Sequence, residues 1–233
     1  MNKISETVKH LIIINVIMFV ATMAMPDKMH NLFDMHFALN PLFKPWQVIT
    51  HMFMHANLTH IGFNMLILWM FGTPIEEIWG KKRFIIFYFI AGFGSFLLYS
   101  GIQYFQFSDA VNQLMATGYP KEEIFDILNS GQYFNNYPNT GIYHSAMLGA
   151  SGAIMGIEVA FAMLFPNVEL MLLFPPIPVK AKYLVSVLVL GDLFFGITSF
   201  DHSNIAHFAH VGGAVTGFIL VKMWGKYRHK RWY

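Results

Sequence analysis

The chain has 233 residues, of which 55% are hydrophobic and 12% are charged, against roughly 25% charged residues in an ordinary soluble domain. A water-soluble globule is excluded because it would expose too much apolar surface. A disordered chain is excluded because it would need far more charged residues. The absence of cysteine excludes disulfide scaffolds, thiol nucleophiles and iron–sulfur clusters. A net charge of +2 gives no reason to expect a nucleic-acid partner. We therefore expect an all-α membrane protein with a single domain over residues 1–233.

Six segments are long and apolar enough to cross a hydrocarbon core, which takes roughly 20 residues. The predicted spans lie near residues 10–25, 58–76, 84–105, 146–166, 179–199 and 204–224. The first span follows only two lysines and lacks a small-residue cleavage site, which favours a retained signal-anchor over a signal peptide.

Two long loops, here called the first outer loop (residues 26–57) and the second outer loop (residues 106–145), join these spans on the side opposite the termini. Residues 26–57 contain several prolines and many apolar residues, which predicts a loop that lies in the membrane interface. Residues 106–145 are predicted to form two short surface helices. Ser108 is expected to cap the first and Pro120 to begin the second, with Gly118 and Gly131 ending them.

The distribution of basic residues predicts the orientation. Twelve of the fifteen lie on the side of the termini: Lys3, Lys9, Lys81, Lys82, Arg83, Lys180, Lys182, Lys222, Lys226, Arg228, Lys230 and Arg231. Lys28, Lys44 and Lys121 lie on the other side. Because cytoplasmic loops are enriched in Lys and Arg, both termini are predicted to be cytoplasmic.

A few polar side chains inside the spans suggest chemistry, because such groups are costly in a membrane. Ser151, His210, His60 and Asn64 are all predicted to lie below the outer surface and above the midplane. Acyl transfer needs a nucleophile, a base and hydrogen-bond donors to an oxyanion. These four residues provide a hydroxyl, an imidazole and two further donors at one depth. Each residue also has a plainer interpretation, since a serine in a span usually bonds its own helix backbone.

Glycines also mark a helix contact. Gly152 with Gly156, and Gly213 with Gly217, have the spacing that lets membrane helices pack closely. The two interpretations are compatible, because a close approach of the fourth and sixth spans would bring Ser151 to His210.

Four motifs in order resemble the rhomboid family of intramembrane serine proteases. They are PWQVITHMFMHANLTHIGFN at 45–64, FGTPIEEIWG at 71–80, GASG at 149–152 and AHVGG at 209–213. The resemblance covers about residues 40–224 and implies a six-helix rhomboid-like bundle. It implies hydrolysis of a peptide bond in or beside the transmembrane helix of a membrane-protein substrate.

The resemblance also implies residue roles. Ser151 resembles the catalytic serine and His210 its general base. His60, Asn64 and the Ser151 backbone N–H correspond to the oxyanion hole. The supporting positions are Gly149, Gly152, Gly213, Gly217, His51 and His55, with Glu76 capping a turn on the cytoplasmic side.

Two positions depart from the family pattern. Gln47 stands where relatives often have arginine, which predicts a weaker anchor for the first outer loop. Met155 stands where relatives commonly stack an aromatic ring on the catalytic histidine, which predicts a more mobile His210. Glu158 and Asp192 have no assigned partner. No carboxylate is expected beside His210, so the sequence predicts a Ser–His dyad.

Two other functions remain as alternatives. A cation or proton transporter could use His51, His55, His60, His207 and His210 with Asp192 and Glu158. A non-catalytic rhomboid-like protein could bind client helices instead. HMFMH at 51–55 lacks the glutamate of HExxH, and no metal or cofactor is predicted. The expected partners are membrane-protein substrates and the bilayer, and the expected location is a bacterial inner membrane.

Overall fold

The computed structural model describes residues 3–171, 176–198 and 204–224, the side chains of residues 204 and 205 excepted. The α-helices are α1 (Glu6–Ala24), α2 (Pro26–Phe33), α3 (Gln47–Thr50), α4 (Leu58–Ile67), α5 (Thr73–Trp79), α6 (Lys81–Ala116), α7 (Lys121–Asn129), α8 (Ser151–Leu164), α9 (Ala181–Thr198) and α10 (Asn204–Trp224). Shorter helical turns are the 3₁₀ segments His51–Phe53 and Pro138–His144 and the π-type turn Leu68–Gly72. Two antiparallel pairs join β1 (Met35–His36) to β2 (Ala146–Met147), and β3 (Glu169–Met171) to β4 (Pro178–Lys180).

Five helical segments within the described residues are long and apolar enough to cross a membrane: α1, Leu58–Trp79, α6, α9 and the Ala206–Trp224 part of α10. They coincide with five of the six predicted spans. The fourth predicted span, 146–166, is instead the 14-residue helix α8. Its length of about 21 Å falls short of a hydrocarbon core of about 30 Å. The prediction was too long because residues 146–147 pair with β1 and a turn at Gly149 precedes the helix.

The end of the third span also differs from the prediction. A single helix of 36 residues, α6, replaces the expected span over 84–105 and the separate helix capped by Ser108. Residues 106–116 contain no proline or glycine, so nothing in the backbone interrupts the helix. The second surface helix, α7, is confirmed: Pro120 precedes it directly. Gly118 and Gly131 adopt positive φ after the two helix ends.

The outer part of α6, α7 and the Pro138–His144 turn form a folded unit, here called the outer cap. Its core consists of Phe37, Phe107, Val111, Leu114, Ile124, Leu128, Ile142 and Tyr143. Phe37 follows β1, so the first outer loop contributes to the same core. The second outer loop is therefore a packed structure joined to the first.

Helix α8 is the central helix of the bundle, since ten of its fourteen residues are buried. It packs against α6, α9 and α10. A Cβ at Gly213 would overlap the Gly152 carbonyl, and one at Gly217 would lie 2.7 Å from the Gly156 Cα. Side chains larger than hydrogen at these glycines would force α8 and α10 apart.

The first outer loop is firmly anchored, contrary to the weaker anchor expected for Gln47. The Gln47 side chain is fully buried. Its Nε2 donates to the Leu42 carbonyl at 3.0 Å and the Asn31 carbonyl at 3.2 Å, and its Oε1 accepts from the Lys44 N–H at 3.0 Å. An uncharged amide provides both donors and an acceptor here, which a guanidinium cannot.

Glu76 ties the second span to the first. Its carboxylate accepts hydrogen bonds from the backbone N–H groups of Thr7 at 2.9 Å and Val8 at 3.0 Å, and from the Ser5 hydroxyl. A carboxylate at a helix N-terminus satisfies free N–H groups and complements the helix dipole. Glu76 therefore caps α1 itself. Four residues used to predict the orientation, Lys226, Arg228, Lys230 and Arg231, lie outside the described residues.

Candidate active site

Ser151 and His210 meet where α8 crosses α10. Ser151 is the first residue of α8, and its Oγ lies 3.0 Å from the Nε2 of His210. At this distance the Ser151 hydroxyl donates a hydrogen bond to the His210 imidazole. The close contact between α8 and α10 at their glycines brings the two side chains within hydrogen-bond distance.

The turn before Ser151 depends on Gly149. Its φ of +118° lies in a region that residues with a Cβ rarely adopt. A Cβ at this position would also lie 2.8 Å from the Nε2 of His60. The His60 ring therefore lies directly against the backbone that leads into Ser151.

His60 and Asn64 are one turn apart on α4, so they share a face. The side chain of Asn57 caps this helix by accepting from the His60 N–H at 2.8 Å. The Nδ1 of His60 accepts a long hydrogen bond of 3.5 Å from the Ala56 N–H. This arrangement favours the tautomer with its proton on Nε2, the atom nearest Gly149.

A cavity of about 540 Å³ brings the four predicted site residues together. It is lined by Asn57, Thr59, His60, Phe63, Asn64, Ser151 and His210. Ser151 remains partly exposed while most of α8 is buried. The hydroxyl is therefore open to molecules that enter the cavity.

His51 and His55 lie in the first outer loop, outside the cavity. Burial lowers the pKa of each imidazole to about 4, so both are neutral at physiological pH. The Nδ1 of His51 donates to the Gln47 carbonyl at 2.8 Å. The Nε2 of His55 lies 3.0 Å from the Asn64 Nδ2, an arrangement in which the neutral ring accepts from the amide. Sequence reasoning missed this contact between His55 and the site.

Asp192 overturns the expectation that no carboxylate lies beside His210. Its Oδ1 is 3.1 Å from the Nδ1 of His210 and 2.6 Å from the Nδ1 of His207. Asp192 lies on α9, which packs against α10. A signal for this contact was present in the sequence, because a short connection makes the fifth and sixth spans neighbours and places these residues at similar distances from it.

The same three residues are close enough to be considered as metal ligands, since their candidate ligand atoms lie within 4.8 Å of one another. The measured distances of 2.6 and 3.1 Å are hydrogen-bond lengths. Ligands at about 2.0 Å from a tetrahedral zinc ion would lie about 3.3 Å apart. Hydrogen bonds to one carboxylate therefore account for the cluster. Glu158, His51 and His55 do not join it within the described part of the chain.

A family model described as Rhomboid domain matches residues 42–227. The chain belongs to the rhomboid family. It is 27% identical to Rhomboid protease AarA of Providencia stuartii, over 75% of this chain and 54% of that protein. It is 25% identical to Rhomboid protease GluP of Bacillus subtilis, over 74% of this chain and 25% of that protein.

A third similar rhomboid is Rhomboid protein 1, mitochondrial, of Saccharomyces cerevisiae, 29% identical over 74% of this chain and 40% of that protein. The chain thus spans between a quarter and about half of these relatives. Because the relatives include mitochondrial proteins, the expected location in a bacterial inner membrane is not supported. The rhomboid family and the spanning helices together identify an integral membrane protein.

Proposed function

We propose that this rhomboid is an intramembrane serine endopeptidase that cleaves membrane-protein substrates in or beside their transmembrane helices. The observation that carries this proposal is the 3.0 Å contact between the Ser151 Oγ and the His210 Nε2 in an open cavity. Two of the similar proteins are named rhomboid proteases. A non-catalytic protein that binds client helices would have no need for this pairing.

In this mechanism His210 takes the proton of Ser151 at Nε2 while the Oγ attacks the scissile carbonyl. His210 then gives that proton to the leaving amine, and an acyl-enzyme remains. Water then attacks the acyl-enzyme and gives a proton to the Nε2 of His210. His210 passes this proton to the Ser151 Oγ as the carboxylic acid product leaves.

The oxyanion of the tetrahedral intermediate needs donors beside Ser151. The Nε2–H of His60, the Nδ2 of Asn64 and the backbone N–H of Ser151 are the proposed donors. The Ser151 N–H lies at the start of α8, where the first N–H groups of a helix have no partner within it. Removing one such donor costs about 3 kcal/mol of transition-state stabilisation in other serine proteases.

The shortness of α8 supports access of water to the serine. A helix of about 21 Å that begins at Ser151 leaves room for irregular backbone and a cavity above it. A substrate helix must unwind locally to present its peptide bond, because its own side chains shield a helical backbone. Helix-breaking residues near the cut are therefore favoured in substrates.

The arrangement of the spans supports a single domain over 1–233 with six crossings and cytoplasmic termini. If α8 together with the irregular backbone before it is taken as the sixth crossing, the five spanning segments and this one give an even number, which puts both termini on one side. The basic residues Lys81 to Arg83 lie at the start of α6, beside α1, where Lys81 pairs with Glu6. The cavity would then open on the side opposite these cations.

The test is cleavage of a reporter transmembrane segment by the full chain in liposomes. Wild type and the surface variant Ser186→Ala are expected to cleave, whereas Ser151→Ala and His210→Ala are not. A fluorophosphonate probe should label wild type and not Ser151→Ala. Normal cleavage by Ser151→Ala would refute the mechanism, and loss of wild-type activity on adding a chelator would favour metal chemistry instead.

A further inference from the structure

We infer that Asp192 is a positioning residue that makes the Ser151–His210 pair into a Ser–His–Asp triad, and that His207 holds the Asp192 carboxylate in place. This inference rests on the proposed function. The geometry that carries it is the chain of contacts from Ser151 Oγ to His210 Nε2, and from His210 Nδ1 to Asp192 Oδ1.

The contact of Asp192 with His210 selects a tautomer. A carboxylate can only accept, so the Nδ1 of His210 must carry a proton in the 3.1 Å contact with Asp192. In a neutral ring, Nε2 is then the unprotonated nitrogen, and it faces the Ser151 hydroxyl. Asp192 thereby gives His210 the tautomer that a general base requires.

The Asp192 carboxylate also faces the charge that develops during the reaction. When His210 takes the serine proton it becomes an imidazolium ion, and an adjacent carboxylate stabilises that ion. The side chain of Asp192 is only 13% exposed, so solvent screens the interaction weakly. A carboxylate in this position therefore strengthens His210 as a base.

His207 explains why Asp192 stays in position. It lies one turn before His210 on α10, and its Nδ1 donates to the same Asp192 Oδ1 at 2.6 Å. The Phe195 ring packs beside His207 at a centroid distance of 5.6 Å. Two donors from α10 thus fix a side chain of α9. Among the residues that the structure describes, the other titratable groups close enough to influence His210 are His60 on α4 and Glu158 on α8.

The test compares Asp192→Asn with wild type and with Ser186→Ala, an exposed change on the same helix. We expect kcat to fall by roughly 10- to 1,000-fold with KM changed by less than about threefold. The same change in soluble serine-protease triads lowers kcat by about 10⁴-fold. The acidic limb of the kcat/KM profile should move to lower pH, because the imidazolium loses its counter-charge. Asp192→Glu should restore part of the rate.

Titration with the fluorophosphonate separates these effects from misfolding. A purely structural role would lower the fraction of sites labelled at completion but leave the rate per labelled site and the pH profile unchanged, which would overturn the inference. If Asp192→Asn does not fold, His207→Ala takes its place, with an expected fall in kcat of about tenfold and unchanged KM. A normal kcat per site in that variant would also overturn it. Failure of wild type to cleave or label would instead refute the proposed function.

Discussion

The backbone N–H of Gly149 donates a 2.9 Å hydrogen bond to the carbonyl of His51. This bond joins the first outer loop to the turn that precedes Ser151. The same turn lies against the Nε2 of His60. The position of the Ser151 N–H is therefore set from two sides, by the loop through His51 and by α4 through His60.

A methyl group at position 149 should disturb this arrangement. Gly149→Ala forces an L-residue into a φ of +118° and places its Cβ 2.8 Å from the His60 Nε2. We expect kcat for the reporter segment to fall on the order of 10²-fold, the effect of losing one oxyanion donor.

The matched control is Gly101→Ala on α6, where an added Cβ meets nothing within 4 Å. This change should leave kcat unaltered and slightly raise the unfolding temperature, since alanine favours the helix. Equal kcat in the two glycine variants would show that the Gly149 turn does not determine the geometry of the site.

His55 should act through Asn64. The Asn64 Nδ2 donates to the His55 Nε2 at 3.0 Å, which orients the amide. We expect His55→Ala to lower kcat about tenfold, because the amide loses its fixed orientation. His55→Gln, which keeps an acceptor, should lose less.

A double-mutant cycle with Asn64→Ala checks that coupling. The two losses should be less than additive, because removing Asn64 leaves His55 with no amide to orient. Fully additive effects on kcat would indicate that His55 stabilises the loop independently of Asn64.

Much of the site was predictable because the relevant signals are local. The spacing of His60 and Asn64 places them on one helix face, and the glycine spacing on α8 and α10 predicts their close approach. Contacts between distant segments carry no such periodicity. The bond from Gly149 to His51 joins residues far apart in sequence. For the contact of Asp192 with His210, the short connection between their spans was the available signal, and it does not specify that the two side chains meet.

Gln47 shows a different limit of sequence reasoning. The change from a family arginine predicted a weaker anchor, because only the charge was considered. The structure shows that the amide satisfies carbonyls and an N–H at once. The number of free backbone groups around a buried side chain depends on how the loop folds, and composition does not reveal it.

Glu76 should contribute strongly to stability. Glu76→Ala removes a buried carboxylate that accepts from Thr7, Val8 and Ser5 at the start of α1. We expect a loss of about 3 kcal/mol in the free energy of unfolding, since hydrogen bonds to charged groups are strong and the N–H groups lose their partner. Detergent-induced unfolding measures the difference.

The adjacent Glu77 supplies the control, because it is exposed. Glu77→Ala should change the free energy of unfolding by less than about 0.5 kcal/mol. If both variants unfold alike, then capping by Glu76 contributes little to stability.

Asp34 should make the stability of the first outer loop depend on pH. Its carboxyl is buried and pairs with the Nδ1 of His30 at 2.8 Å. Burial raises its pKa to about 6, although the hydrogen bond from His30 lowers it. An aspartate in the unfolded chain has a pKa of about 3.9.

Between about pH 4 and 6 the folded protein therefore retains a proton that the unfolded chain has lost, so the contribution of Asp34 to stability falls as pH rises. We expect Asp34→Asn to be more stable than wild type above pH 6, with the difference shrinking toward pH 4. Thermal unfolding midpoints of the two proteins across this pH range measure the stability difference, and the exposed change Asp27→Asn is the control. A difference independent of pH would contradict the assignment.

Helix α6 can be used to measure the depth of the active site in the membrane. Its 36 residues run without interruption for about 54 Å, and Ser95 lies against Gly152, level with the head of α8. Since the sequence has no cysteine, one introduced at Leu97, Phe105 or Met115, all exposed, would carry a spin label at a unique site. The accessibility of such labels to oxygen and to a water-soluble relaxant would locate the lipid boundary along the helix and so give the depth of Ser151 in Å.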